Sequence, residues 1–197
     1  MFTAQKQVET QHILLDRIKA ASQNIDVQYM RRSDREITNF NEIVNVLYRA
    51  NTIRLGMFDG EYPYVIPLSY GFETSNGCIV LYIHGAKEGL KHDLLVRNNR
   101  VCVETDIFHR YVEISGSILV EYESVIGFGI AETVVGAEAT HGLDLLLIHC
   151  GYSAFEYDKS ALDAVKVMKI TLTQFTGKRR FVNDGALAGS TGIEPAT

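Results

Sequence analysis

Two dipeptides, Asp59-Gly60 and Asn76-Gly77, constrain this chain most, because each stands between runs whose apolar residues have the spacing of strands. Asp-Gly and Asn-Gly accept the positive φ values that a tight hairpin turn demands. Before the first, Ile53, Leu55 and Met57 alternate with Arg54, Gly56 and Phe58, the period of a strand with one buried face. Between the two, Tyr62 to Tyr70 reads as a second extended run, and Pro63 and Pro67 withhold two backbone donors and so place it at an edge or a bulge. Cys78 to His84 is a third strand. The pattern predicts a three-stranded antiparallel meander.

Elsewhere the spacing is mixed. Asn39 is an N-cap with Glu42 as the second half of a capping box, and Phe40, Ile43, Val44 and Leu47 then recur at helical spacing until about Ala50. A second helix is expected from about Lys87 through Leu90, Leu94 and Leu95, leaving by a left-handed residue at Asn98-Asn99. A third runs from about Ala137 to Cys150 and is closed by Gly151. Val101 to Thr105, Ser117 to Glu123, Val125 to Thr133 and Lys166 to Thr171 read as strands, the middle two separated or bent at Glu123-Ser124. Six or seven strands with helices between and after them predict an α+β fold, a closed or nearly closed antiparallel barrel with peripheral helices. This domain is expected to span 30–182, after a weakly amphipathic helical arm over 1–29 and before a tail over 183–197 that is rich in Gly, Ala, Ser and Thr and expected to be flexible.

Composition narrows the function. The chain is 46% hydrophobic and 22% charged, as a globular protein is, and its 19 basic against 24 acidic residues leave a net charge of -5. Such a balance offers no basic excess for a nucleic-acid backbone or an anionic membrane, and Lys178-Arg179-Arg180 is too small a patch to change that. No apolar run reaches the ~18 residues of a membrane span, and Met1 to Lys6 leads into polar sequence unlike a secretory signal, so a cytoplasmic protein is expected. Cys78, Cys102 and Cys150 are far apart without a CxxC and read as small buried apolar residues in a reducing compartment. His141, Asp144, His149 and Cys150 share a helix but match no metal-binding pattern, and no metal is expected. Gly127 and Gly129 around Phe128 lack the third glycine of a dinucleotide fingerprint.

The chemistry concentrates in Leu81-Tyr82-Ile83-His84-Gly85-Ala86-Lys87-Glu88-Gly89-Leu90-Lys91. A strand ending at His84, two small residues and a helix starting near Lys87 would direct free backbone N–H groups at an anion. Lys87 and Lys91, four apart, would then share a helix face and reach one phosphate. The same residues also read as a plain strand-to-helix connection carrying two solvated lysines.

A resemblance adds to this. Met30 to Ile37, Thr52 to Gly56, Pro63 to Gly71, Tyr82 to Lys91, Ser124 to Gly129 and Thr176 to Arg180 stand in the order seen in flavin-binding split-barrel proteins related to pyridoxamine 5′-phosphate oxidase. Within them the chain resembles most the nitroimidazole-resistance (Nim-type) branch, over about Met30 to Arg180, with His84 to Lys91 the most specific segment. The resemblance implies a six-stranded antiparallel split β-barrel, assembled as a homodimer with FMN at the subunit interface. It places Arg54, Leu55 and Gly56 along the flavin, Pro67, Leu68, Ser69 and Tyr70 beside the ring edge, and His84, Gly85, Ala86, Lys87 and Lys91 at the ribityl phosphate. Ser124 and Val125, with Lys178 to Arg180, are further contacts, whereas Glu123 stands where many relatives carry a basic residue. Tyr62, Tyr64 and Tyr70 are candidate aromatic neighbours of the ring.

The expected activity is reduction of a small organic acceptor, such as a nitro-aromatic compound, by flavin that a nicotinamide or other donor has reduced. His84 is the expected proton donor, since imidazole titrates near neutral pH. Two other readings are a flavin carrier or sensor without turnover, and a haem protein on the same barrel using some of the six histidines. Oxidation of pyridoxamine 5′-phosphate itself is less expected, because no second Arg and Lys cluster is present for another phosphate.

Overall fold

The computed structural model describes residues 30–158 and 164–182. The N-terminal arm and C-terminal tail expected from the sequence lie outside the described residues.

Helix α1 (Phe40–Arg49) opens as its cap predicts: the Asn39 side chain accepts a hydrogen bond from the Asn41 backbone N–H at 2.9 Å. Ile43, Val46 and Leu47 turn into the core. The Glu42 carboxylate pairs with Arg179 at 3.0 Å rather than completing the capping box, because the last strand passes close to the helix start. Ahead of α1, the short strand β1 (Glu36–Ile37) pairs with that same last strand.

The turns fall where expected, but the strands they join do not form one meander. β2 (Ile53–Phe58) and β3 (Pro63–Leu68) make a hairpin, and the Asp59 carboxylate in its turn accepts from the backbone N–H groups of Glu61 (2.7 Å) and Tyr62 (2.6 Å). β4 (Gly71–Ser75) and β5 (Cys78–Ala86) make a second hairpin around Asn76-Gly77. The extended run over Tyr62 to Tyr70 breaks at Ser69-Tyr70, where the chain crosses to the other end of the sheet. Tyr70 fixes the crossover, since it is fully buried with its hydroxyl 2.6 Å from the Leu47 carbonyl and 3.1 Å from that of Ala50.

β6 (Arg100–Ile114) and β7 (Ser117–Val134) form a hairpin far longer than predicted, closed by Ser115 and Gly116 at φ 50° and 74°. β7 runs unbroken through Glu123 and Ser124, and its irregularity falls at Phe128/Gly129 instead. There Gly129 lies so close to the neighbouring strand that an added Cβ would stand 2.5 Å from the Thr171 carbonyl oxygen. β8 (Val165–Arg180) extends well beyond the predicted Thr171 because it pairs with β5 near its start and with β7 over most of its length.

The strand order is β3-β2-β6-β7-β8-β5-β4, with β1 beside β8, so there are eight strands rather than six. The hydrogen-bonded path is open between β3 and β4, and β3 takes the edge position that its prolines allow. One face of the sheet surrounds a core that includes Ile53, Leu55, Ile79, Leu81, Ile83, Val103, Val125 and Ile170, together with Leu94 and Leu95 of α2 (Leu90–Arg97). α3 (Gly136–His149) covers the other face of β4 and β5, over a second cluster of Tyr82, Val134, Ala139 and Val167. Gly151, at φ 85°, follows its cap residue Cys150 as expected. None of the three cysteines is the fully buried residue expected, since Cys150 is exposed and Cys78 and Cys102 are half-buried at strand positions facing away from the main core.

Candidate functional site

Pairing with β8 carries β5 to Ala86, two residues past the predicted end at His84. Gly89 then adopts φ 123° and ψ 167°, a conformation open to glycine, and α2 begins only at Leu90. Lys87 therefore lies exposed in the connection and Lys91 in the first helical turn, so the two do not share a helix face. The left-handed exit expected at Asn98 is also absent, because that residue is extended and leads directly into β6.

Lys91 reaches the site by folding back over the strand. Its ammonium donates to the His84 carbonyl at 3.1 Å and sits above Gly85, where any Cβ would collide with it. Lys166 of β8 stands directly opposite Gly85, and its Nζ approaches His92 Nε2 to 2.5 Å. Among the described residues, no carboxylate pairs with the ammonium groups of Lys87, Lys91 or Lys166. Burial lowers the pKa of the half-covered Lys91. His84 presents an exposed side chain, yet enough protein surrounds the ring to lower its pKa, and the Lys91 ammonium lowers it further. The junction of β5 and α2 thus gathers cations around a glycine floor, a donor set suited to a phosphate.

A second group lies on β2, β3 and β7. Arg54 and Pro67 are cross-strand partners, and both are exposed on the outer face with Gly56. Arg54 is not free, since its guanidinium bonds Glu104 at 2.8 Å and Asp106 at 2.5 Å. Ser124 pairs with Asp106 across β6 and β7, which brings it to the same outer face. Leu55 and Val125 point into the core, Leu68 is half-buried against it, and Ser69 is exposed. Only the backbones of Leu55 and Val125 are left to meet a ligand. Tyr70 is committed to the fold through its side chain and through its carbonyl, which takes a bond from His149 Nδ1 at 2.6 Å. Of the other tyrosines singled out, Tyr62 is exposed and Tyr64 packs on the core.

The structure gives Glu123 a role that its neighbours in sequence do not announce. It is buried, and its Oε2 accepts from Arg49 at 2.5 Å and lies 3.1 Å from His109 Nε2, which ties α1 to the β6–β7 hairpin. The helical histidines are likewise engaged: His141 with Glu73 at 2.9 Å, and His149 with the Tyr70 and Tyr48 carbonyls. Among the described residues no group of three or more His, Cys, Asp or Glu side chains could hold a metal ion, and no helix is long and apolar enough to cross a membrane. Sequence reasoning missed His92 and Lys166. The register that sets Lys166 opposite Gly85 joins residues about eighty positions apart, and no local pattern carries it.

Fold and site together define a split-barrel protein with a cationic strand-to-helix junction. A candidate 5-nitroimidazole antibiotic resistance protein from Bacteroides thetaiotaomicron VPI-5482 is 32% identical over 73% of this chain and 86% of its own, with a TM-score of 0.66. The fold is shared by an FAD-binding protein from Mesorhizobium loti (22% identity, 75% and 98% coverage, TM-score 0.55) and by an FAD and heme binding protein from Mycobacterium smegmatis (15%, 79% and 80%, 0.62). No curated protein matches the chain. The pyridoxamine 5′-phosphate oxidase family matches residues 40–179, and this chain belongs to that family.

Proposed function

We propose that this protein binds FMN and uses it to reduce a small organic acceptor of the nitro-aromatic type. The observation that carries the reading is the Lys91 ammonium held over Gly85 beside His84, in the space that a side chain at residue 85 would take. Glycine there and several cations with no paired carboxylate among the described residues fit a phosphate monoester. The name of the Bacteroides thetaiotaomicron relative supports the acceptor class, and the names of the two FAD-binding relatives support a flavin.

When bound, the flavin would supply the hydride chemistry. Lys87 and Lys91 would hold its phosphate, and the backbone around Gly56 and Pro67 would address the ring. His84 would deliver protons to the acceptor. Burial and the Lys91 ammonium lower its pKa and so favour the neutral imidazole, and a dianion bound nearby would favour its protonated form. Among the described residues the ring-side group on β2, β3 and β7 shares no hydrogen bond or ion pair with the phosphate-side group on β5 and α2, and the outer face of β2, β3 and β7 exposes Phe58, Val65 and Ile126. Both features support a homodimer in which each flavin lies between two subunits. A nicotinamide would serve as a transient reductant.

The test is the visible spectrum of the purified protein with the mass of any released chromophore, followed by His84→Ala. FMN should be retained while nitro-reduction falls by about 10²-fold or more. A colourless protein that takes up no FMN overturns the reading. Unchanged turnover in His84→Ala overturns the role of the imidazole.

A further inference from the structure

Lys91 and Lys166 approach Gly85 from different elements. In an antiparallel ladder, residues directly opposite one another project to the same face. Lys166 is the partner of Gly85, and the empty side-chain position of Gly85 is where the Lys91 ammonium lies. Lys166 therefore emerges beside that ammonium. Both lysines are half-buried, and neither pairs with a carboxylate among the described residues. Two partly desolvated like charges side by side repel each other, and an anion set between them turns that repulsion into attraction on both sides.

His92 holds one of the pair. Its Nε2 accepts from the Lys166 ammonium at 2.5 Å, which requires the lone pair on that nitrogen and leaves the remaining ammonium hydrogens to point elsewhere. His92 follows Lys91 in the first turn of α2, so the helix that presents one cation also orients the other.

We propose that Lys166 is a binding residue of this site, positioned by His92, and that Lys91 and Lys166 together grip a phosphate monoester dianion. The identity of the ester as FMN rests on the function proposed above, while the phosphate grip is tested separately. Titrations of FMN and riboflavin into the wild type, Lys166→Met, Lys166→Arg, His92→Phe and His92→Gln separate the two. Lys166→Met should weaken FMN about ten- to a hundredfold and leave riboflavin unchanged. Lys166→Arg should retain most of the FMN affinity. His92→Phe should weaken FMN less than Lys166→Met does, and His92→Gln, which offers an acceptor oxygen, should restore part of the loss. FMN affinity unchanged in Lys166→Met, or an equal loss of FMN and riboflavin, overturns the assignment.

Melting curves in inorganic phosphate provide the independent arm. Phosphate should raise the melting temperature of the wild type and not that of Lys166→Met. If the wild type takes neither flavin but shows this rise and the variant loses it, the flavin reading fails and the phosphate site stands. If phosphate stabilises both proteins equally, Lys166 has no part in the site.

Discussion

At the scale of single residues, the arrangement around Gly85 makes His84 a reporter of its neighbours. The Lys91 ammonium disfavours a second positive charge on the imidazole, so Lys91→Met should raise the midpoint of the His84 titration, followed by the Cε1 proton in NMR; an unchanged midpoint would remove Lys91 as a cause. Because the folded-state pKa of His84 is below its unfolded value, the unfolded chain binds the proton more readily. The fold therefore loses this contribution as pH falls through the histidine range and keeps it above that range. Lys91→Met should lessen the acid sensitivity. Tyr70 makes a different prediction, since burial drives its phenol pKa far upward and its hydroxyl is spent on the carbonyls that end α1. Tyr70→Phe leaves those buried carbonyls short of a donor and should lower stability by about 1–2 kcal/mol in denaturant unfolding, with flavin affinity little changed.

Between elements, glycines decide how closely helices approach strands. A Cβ at Gly71 would run into the backbone of Leu145 and Leu146, so β4 touches α3 main chain to main chain. Gly71→Ala must push the helix away and should cost about 1–3 kcal/mol, seen as a lower denaturant midpoint. A Cβ at Gly142 would meet the Tyr82 ring at 2.5 Å from the other side of the same contact. The Glu123 carboxylate joins α1 to the β6–β7 hairpin through Arg49 and His109. These partners offset the cost of burying a carboxylate there.

For the whole molecule, the open path between β3 and β4 and the exposed apolar residues of the outer face set the expectation. Val65→Glu and Ile126→Glu each place a charge on a surface that the proposed dimer would bury. Either should shift the protein to monomers in light scattering and weaken FMN at the same time. Monomers that keep full FMN affinity would place the whole site within one chain.

Much of this protein was legible in its sequence wherever the physics is local. Asp59-Gly60 and Asn76-Gly77 announce their hairpins, Asn39 its helix, and Pro63 and Pro67 an edge strand. Each depends on the conformational limits or donors of a few adjacent residues. What the sequence could not decide was which distant segments meet. The crossover at Tyr70, the unbroken course of β7 and the start of α2 at Leu90 depend on burial and pairing across the sheet. The placing of Lys166 opposite Gly85 depends on the register of β5 against β8, which is set by the need to bury Leu81, Ile83, Met168 and Ile170 in one core and Tyr82 and Val167 in another.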